Sequence, residues 1–115
     1  METQLQAEKP KSVGYWEARI KSLTGSLASA KGLVANTESK IQTATNALQK
    51  QQNIYDNLAP DASDTIKEEY QLKIAAAEAS LEELAAELAE RQARVADLEA
   101  QIAEAYAEIE KLTNQ

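Results

Sequence analysis

Two long stretches of this sequence contain a set of residues, most of them apolar, that recur at alternating intervals of three and four positions. We call these two sets the seam. An average interval of 3.5 residues places such side chains along one side of an α-helix, which predicts two long helices joined in a left-handed coiled coil. The first set is Val13, Trp16, Ile20, Leu23, Leu27, Ala30, Val34, Thr37, Ile41, Ala44, Leu48, Gln51, Tyr55 and Leu58. The second set is Tyr70, Ile74, Ala77, Leu81, Leu84, Leu88, Arg91, Val95, Leu98, Ile102, Ala105, Ile109 and Leu112.

Two prolines, Pro10 and Pro60, divide the chain. Residues 1–11 lack apolar periodicity and are interpreted as a flexible N-terminal tail, and residues 12–115 as a helical hairpin. The predicted parts of this hairpin are a helix over 12–57, a connection over 58–63 and a helix over 64–113. Ser12 is the expected N-cap of the first helix, and Thr65 with Glu68 can form a capping box on the second. Ser63 or Asp64 could serve as the second cap instead.

The two halves of the seam match one another in an antiparallel register. If Tyr55 lies opposite Tyr70, every layer pairs residues whose numbers add to 125, and several layers set a small residue against a large one. Layers of this small-and-large kind include Ala44 with Leu81, whereas Leu27 with Leu98 and Leu23 with Ile102 pair two large residues. The predicted fold class is therefore all-α, a long antiparallel two-helix coiled-coil hairpin.

Three polar residues interrupt the apolar seam. They are Thr37, Gln51 and Arg91, which face Leu88, Ile74 and Val34 in the predicted register. A single polar residue at a core position can specify pairing at some loss of stability. We interpret the three as register-setting residues, with the Arg91 guanidinium reaching outward to Glu87 or Glu90.

The outward faces carry unusually few charges. The second helix has a stripe of alanines, and the first a small, uncharged stripe that includes Gly25, Ser29, Gly32 and Asn36. Alanine is the best helix former, so its presence alone needs no partner. Each helical glycine, however, costs about 1 kcal/mol relative to alanine. We therefore interpret this stripe as a partner-binding surface, through association into a four-helix bundle or docking of a partner helix.

Aromatic side chains occur near the ends of both predicted helices. Trp16, Tyr55 and Tyr70 belong to the seam and are expected to pack in the core. Tyr15 and Tyr106 lie off the seam, which makes them candidates for contact with a partner.

Composition excludes several classes of function. The 115 residues include no cysteine and no histidine, which removes thiolate chemistry, the usual zinc ligands and the commonest general base. Adjacent acidic residues on a helix point about 100 degrees apart, so the acidic pairs predict no metal site. The net charge of -7 argues against nucleic acid as a partner. No apolar run is long enough to span a bilayer, and we expect a cytoplasmic protein.

The sequence thus predicts a non-enzymatic protein-interaction module without a cofactor. Its partner would be another protein or a second copy, as in a homodimer, and its role that of an oligomeric scaffold, adaptor, assembly chaperone or inhibitor. The alternative is an amphipathic protein that opens and lays its seam on lipid or another hydrophobic surface.

Overall fold

Two α-helices account for most of the chain in a computed structural model, which describes residues 11–114. Helix α1 runs over Val13–Asp56 and helix α2 over Asp64–Thr113. The described residues contain no strand, and the predicted all-α hairpin of two helices is confirmed. Helix α1 is one residue shorter at each end than the predicted 12–57, whereas α2 has the predicted bounds. The predicted tail lies outside the described residues except for Lys11.

Both helices begin at a serine N-cap. The Ser12 hydroxyl accepts a hydrogen bond from the Tyr15 amide at 3.2 Å, as predicted. The Ser63 hydroxyl accepts one from the Ile66 amide, also at 3.2 Å. Ser63, one of the two alternative caps, is therefore the N-cap of helix α2. The capping box of Thr65 with Glu68 does not form, because Thr65 is already inside the helix.

Helix α1 ends in local hydrogen bonds, and a tight turn follows. The Asn57 side-chain amide donates to the Asn53 carbonyl at 2.8 Å, which satisfies one of the acceptors left free at a helix C-terminus. The Ala62 amide then donates to the Ala59 carbonyl at 2.9 Å and closes a turn across Pro60 and Asp61. These bonds define a short connection between the two helices.

The helices form two packed units, each consisting of one segment of α1 and one of α2. Unit 1 comprises residues 11–30 and 93–114 of the described chain. Its core is a cluster in which Leu23, Ala30 and Leu98 are buried, with Leu27, Val95 and Ile102 packed against them. These six residues are three consecutive layers of the predicted register.

Unit 2 comprises Lys31–Gln92 and includes the connection. Its two segments run antiparallel, because the connection joins them directly and the Gln71 side chain donates to the Tyr55 hydroxyl at 2.9 Å. Thr37 is the one residue of this unit that is fully buried. The seam residues of unit 2 are otherwise half-buried, so its core is thinner than that of unit 1.

Burial follows the seam along both helices. Every predicted seam residue is buried or half-buried, and all residues of the two outer stripes are exposed. Neighbours of the seam that are half-buried, such as Ile54 and Glu87, are few. The apolar spacing alone therefore identified which face of each helix meets the other.

Candidate interaction surfaces

Two of the candidate register-setting residues, Thr37 and Gln51, lie in the seam of unit 2, Thr37 buried and Gln51 half-buried. Thr37 is only 1% exposed, and its hydroxyl donates to the Leu33 carbonyl of its own helix at 2.9 Å. The Gln51 side-chain oxygen is buried without a hydrogen-bond partner. An unpaired buried carbonyl costs about 1–3 kcal/mol, so we expect Gln51 to lower the stability of this layer. A register-setting role for either residue stays a prediction.

Arg91 is the third candidate, and its guanidinium reaches Glu87 on the same helix. Nη2 lies 2.8 Å and Nε 3.2 Å from one Glu87 carboxylate oxygen, and both side chains are about one-third exposed. The hydrogen bond from Arg91 lowers the pKa of Glu87 below its ordinary value, opposed by desolvation and reinforced by the positive charges of Arg91 and Lys40. The long side chain thus fills a seam position while its charge is paired outside.

Polar contacts between the helices occur beside the seam, and of the four residues that make them the sequence analysis named only Tyr55, as a core aromatic. Arg19 donates to Gln101 at 2.9 Å in unit 1, and Gln71 donates to Tyr55 at 2.9 Å in unit 2. Arg19 and Gln101 both occupy g, the heptad position directly before a. Here a denotes alternate seam residues, beginning with Val13 in α1 and Ile74 in α2. Pairing of g positions across the register would have pointed to the Arg19 contact.

The glycine-containing stripe of α1 faces outward. Gly25 and Ser29 are exposed in unit 1, and Gly32 and Asn36 are exposed in unit 2. A Cβ atom added at Gly25 or Gly32 would meet no atom within 4 Å. Nothing in the described chain therefore requires glycine at either position, and binding of a partner by this stripe stays a prediction.

Both candidate tyrosines are exposed in unit 1. The Tyr15 ring stands edge-on to Trp16, with ring centroids 5.1 Å apart, and the Lys11 ammonium lies 4.9 Å from the Tyr15 centroid. This arrangement packs a cation against the first turn of α1. Tyr106 is 58% exposed. Binding of a partner by either tyrosine stays a prediction.

Three further large apolar side chains are exposed, and the sequence analysis did not single them out. Leu33 is 45% exposed, Ile66 42% and Leu72 66%, all in unit 2. Leu33 and Ile66 occupy g positions, as do Ala47 and the half-buried Ile54. The other g positions of unit 2 are polar: Lys40, Lys73, Ser80 and Glu87. Leu72 instead belongs to the outward face of α2, in heptad register with the alanine stripe.

Two other kinds of site are absent from residues 11–114. No three acidic side chains converge there in a way that could hold a metal ion. Neither helix of the described chain is apolar over a stretch that could cross a membrane.

No known family model, curated protein or solved structure matches this chain. The functional proposal below consequently uses only the chain's own contacts, burial and charge.

Proposed function

We propose that this chain is a non-enzymatic helical interaction module that binds other helices, beginning with those of a second copy. The observation that carries the proposal is the thin core. Among residues 11–114, the fully buried hydrophobic residues are Leu23, Ala30, Leu98 and Ala105, and all four are in unit 1. Two of them are alanines, which contribute little apolar area.

A single pair of helices can cover only one side of each seam residue. Unit 2 shows the consequence, because its seam leucines and isoleucines stay half-buried and none of its described hydrophobic residues is fully buried. Burial of apolar surface is the main favourable contribution to folding, and ordering of the backbone opposes it. A further helical surface packed along unit 2 would complete this burial, as in a four-helix bundle.

Charge supports association between copies. Residues 12–57 carry five basic and three acidic side chains, a net charge of +2, whereas residues 61–115 carry five basic and fourteen acidic ones, a net charge of -9. Contact of one copy's α1 with another copy's α2 would bring opposite net charges together. Gly25 and Gly32 lie on the outer face of α1, where a Cβ atom at either position would meet nothing within 4 Å. They provide a second surface that another helix could approach closely.

The proposal is tested by the concentration dependence of thermal unfolding. A chain stabilised by association melts at a higher temperature as its concentration rises, because association shifts the folding equilibrium. We expect the midpoint, followed by circular dichroism, to rise over a hundredfold range of concentration, with a matching rise in mass by sedimentation velocity. A monomer that melts cooperatively at a high, concentration-independent temperature would contradict the need for a further surface.

A further inference from the structure

We infer that, within unit 2, helix α1 detaches from α2 and unfolds while α2 stays helical. The parts concerned are residues 31–56 of α1, which we call the α1 segment, and residues 64–92 of α2, the α2 segment. Detachment opens the seam of the α2 segment to the α1 segment of a second copy. This choice of partner rests on the proposed function, whereas detachment itself does not.

The two segments differ in helix propensity. The strong helix formers Ala, Leu, Glu, Gln, Lys and Arg make up 13 of the 26 residues of the α1 segment and 23 of the 29 residues of the α2 segment. Most other residues of the α1 segment are threonine, asparagine, β-branched aliphatic residues and one glycine, which favour non-helical conformations of a free chain. An alanine-rich helix longer than about 15 residues forms in water without tertiary contacts. The α2 segment is therefore expected to stay helical when α1 leaves it.

Ion pairs stabilise α2 from within. The α2 segment contains Lys73 with Glu69 at 3.5 Å and Arg91 with Glu87 at 2.8 Å. In both pairs the glutamate precedes the cation by four residues, which is the favourable order on a helix. All four ion pairs of residues 11–114 lie within α2. Because each pair joins side chains of one helix, its contribution does not require α1.

The side-chain hydrogen bonds of the α1 segment are of a weaker kind. The Thr37 hydroxyl donates to the Leu33 carbonyl at 2.9 Å, and the Thr43 hydroxyl donates to the Ser39 carbonyl at 3.2 Å. Such bonds to a carbonyl four residues earlier slightly destabilise a helix. The Gln51 side-chain oxygen is buried without a partner and would bind water in the detached state. The α1 segment thus depends on its packing against α2.

That packing is thin. The seam residues of unit 2 are half-buried, apart from the fully buried Thr37. Within the described part of the chain, the side-chain hydrogen bond that joins the two segments is the one from Gln71 to Tyr55 at 2.9 Å. Local unfolding occurs where few apolar contacts are buried. Detachment of the α1 segment therefore requires less free energy than unfolding of both segments together.

A second copy supplies a helix that fits the opened seam. In the predicted register Thr37 faces Leu88 and Gln51 faces Ile74, and the α1 segment of another copy would meet the same residues. Exchange of an identical element between copies reproduces the contacts of the single chain and needs no new interface. The exchange also brings the positive net charge of one copy's α1 to the negative net charge of another copy's α2.

Detachment is tested by amide hydrogen exchange of the full chain, followed by NMR. Ile41 and Leu84 face each other in the predicted register, so their amides report on the two sides of one layer. We expect the Ile41 amide to exchange about tenfold faster or more, after correction for intrinsic rates, because opening of α1 leaves the α2 helix intact. Equal protection of the two amides would overturn the inference.

A matched pair of substitutions tests whether the helices open separately. Gly32 and Ala86 are both exposed, and a Cβ atom at Gly32 would meet nothing within 4 Å. Gly32→Ala should slow exchange at Ile41 about fivefold through helix propensity. Ala86→Gly should leave that rate unchanged, because α2 is helical before and after detachment. A fivefold acceleration in Ala86→Gly would show that both segments unfold together and would overturn detachment.

The partner is tested by disulfide formation between two single-cysteine variants. The chain has no cysteine, and Leu48 faces Ala77 in the predicted register. A disulfide between a Leu48→Cys chain and an Ala77→Cys chain therefore requires the α1 segment of one copy to lie on the α2 segment of the other. After mixing and oxidation, we expect this mixed disulfide to exceed the disulfides between identical chains.

The outcomes separate the inference from the proposed function. If the wild type associates but the mixed disulfide does not exceed the others, the second copy is overturned as the partner of the opened seam, while the proposed function stands. A concentration-independent monomer whose Ile41 amide exchanges faster than that of Leu84 contradicts the proposed function and supports detachment. Association with equal protection of Ile41 and Leu84 supports the proposed function and overturns detachment.

Discussion

The Arg91 guanidinium donates two hydrogen bonds to one carboxylate oxygen of Glu87, one turn earlier on α2, from a position within the seam. A charged residue thereby occupies a core layer of unit 2 without leaving its charge unpaired. Lys40 on α1 adds a favourable electrostatic effect on Glu87. The ionisation of the Glu87 carboxylate is therefore linked to folding of the layer that contains Arg91.

This linkage predicts a pH-dependent contribution to stability. The pKa of Glu87 is lower in the folded chain than its ordinary value, so its ionised form stabilises the fold at pH above that ordinary value. The contribution disappears as the pH falls through the folded-state pKa. Urea unfolding at several pH values should therefore show wild type more stable than Glu87→Gln near neutrality, with the difference vanishing in acid. Glu90→Gln is the control, and an equal difference there would contradict the role of the Arg91 contact.

Replacement of Gln51 by leucine is expected to stabilise the hairpin. The Gln51 side-chain oxygen is buried and has no hydrogen-bond partner, and the residue facing it in the predicted register is the apolar Ile74. Leucine at this position removes an unsatisfied acceptor and adds apolar area. We expect a gain of about 1–3 kcal/mol in the free energy of unfolding. Gln42→Leu, at an exposed position of the same helix, should change it by less than about 0.5 kcal/mol. A loss of stability in Gln51→Leu would show that the amide is needed where it lies.

The cap of α2 gives a comparison between two neighbouring residues. Ser63→Ala removes the acceptor for the Ile66 amide and should cost about 1 kcal/mol of stability. Thr65→Ala should have little effect, because Thr65 is exposed within the first turn of the helix. Thermal melts of both variants under identical conditions measure the difference. Equal losses would restore the capping box as the start of α2.

Gly32→Ala tests whether the small stripe of α1 faces water. A Cβ at this position meets nothing within 4 Å in the chain, so we expect a gain of about 1 kcal/mol from helix propensity alone. Sedimentation velocity on the larger change Gly32→Leu extends the test. Unchanged association would place the stripe outside the interface, whereas loss of association with helicity retained would show that another backbone approaches Gly32.

The spacing of apolar residues was sufficient to predict the buried face of both helices. Even the polar seam members Thr37, Gln51 and Arg91 lie in the core layers, because a rigid helix places every third or fourth residue on the same side whatever its chemistry. The layers of Leu23 and Leu27 with their partners were predicted for the same reason. Their contacts require only the register and the two helical periods.

Contacts beside the seam could not be predicted from the spacing of apolar residues. The hydrogen bond from Gln71 to the Tyr55 hydroxyl depends on the rotamers of both side chains, and those rotamers depend on packing. Whether Ser63 or Thr65 caps α2 similarly depends on the position and direction of the chain after the turn across Pro60 and Asp61. Local sequence offered several caps of similar quality.

The sequence by itself determined two helices, their shared apolar face and the antiparallel register, since these follow from periodicity and from one short connection. Only the tertiary structure decided how completely that face is covered. It left unit 2 without a fully buried hydrophobic residue and with Leu33 and Ile66 exposed. The physical reason is that periodicity specifies the direction of a side chain, whereas burial depends on how many neighbouring surfaces enclose it.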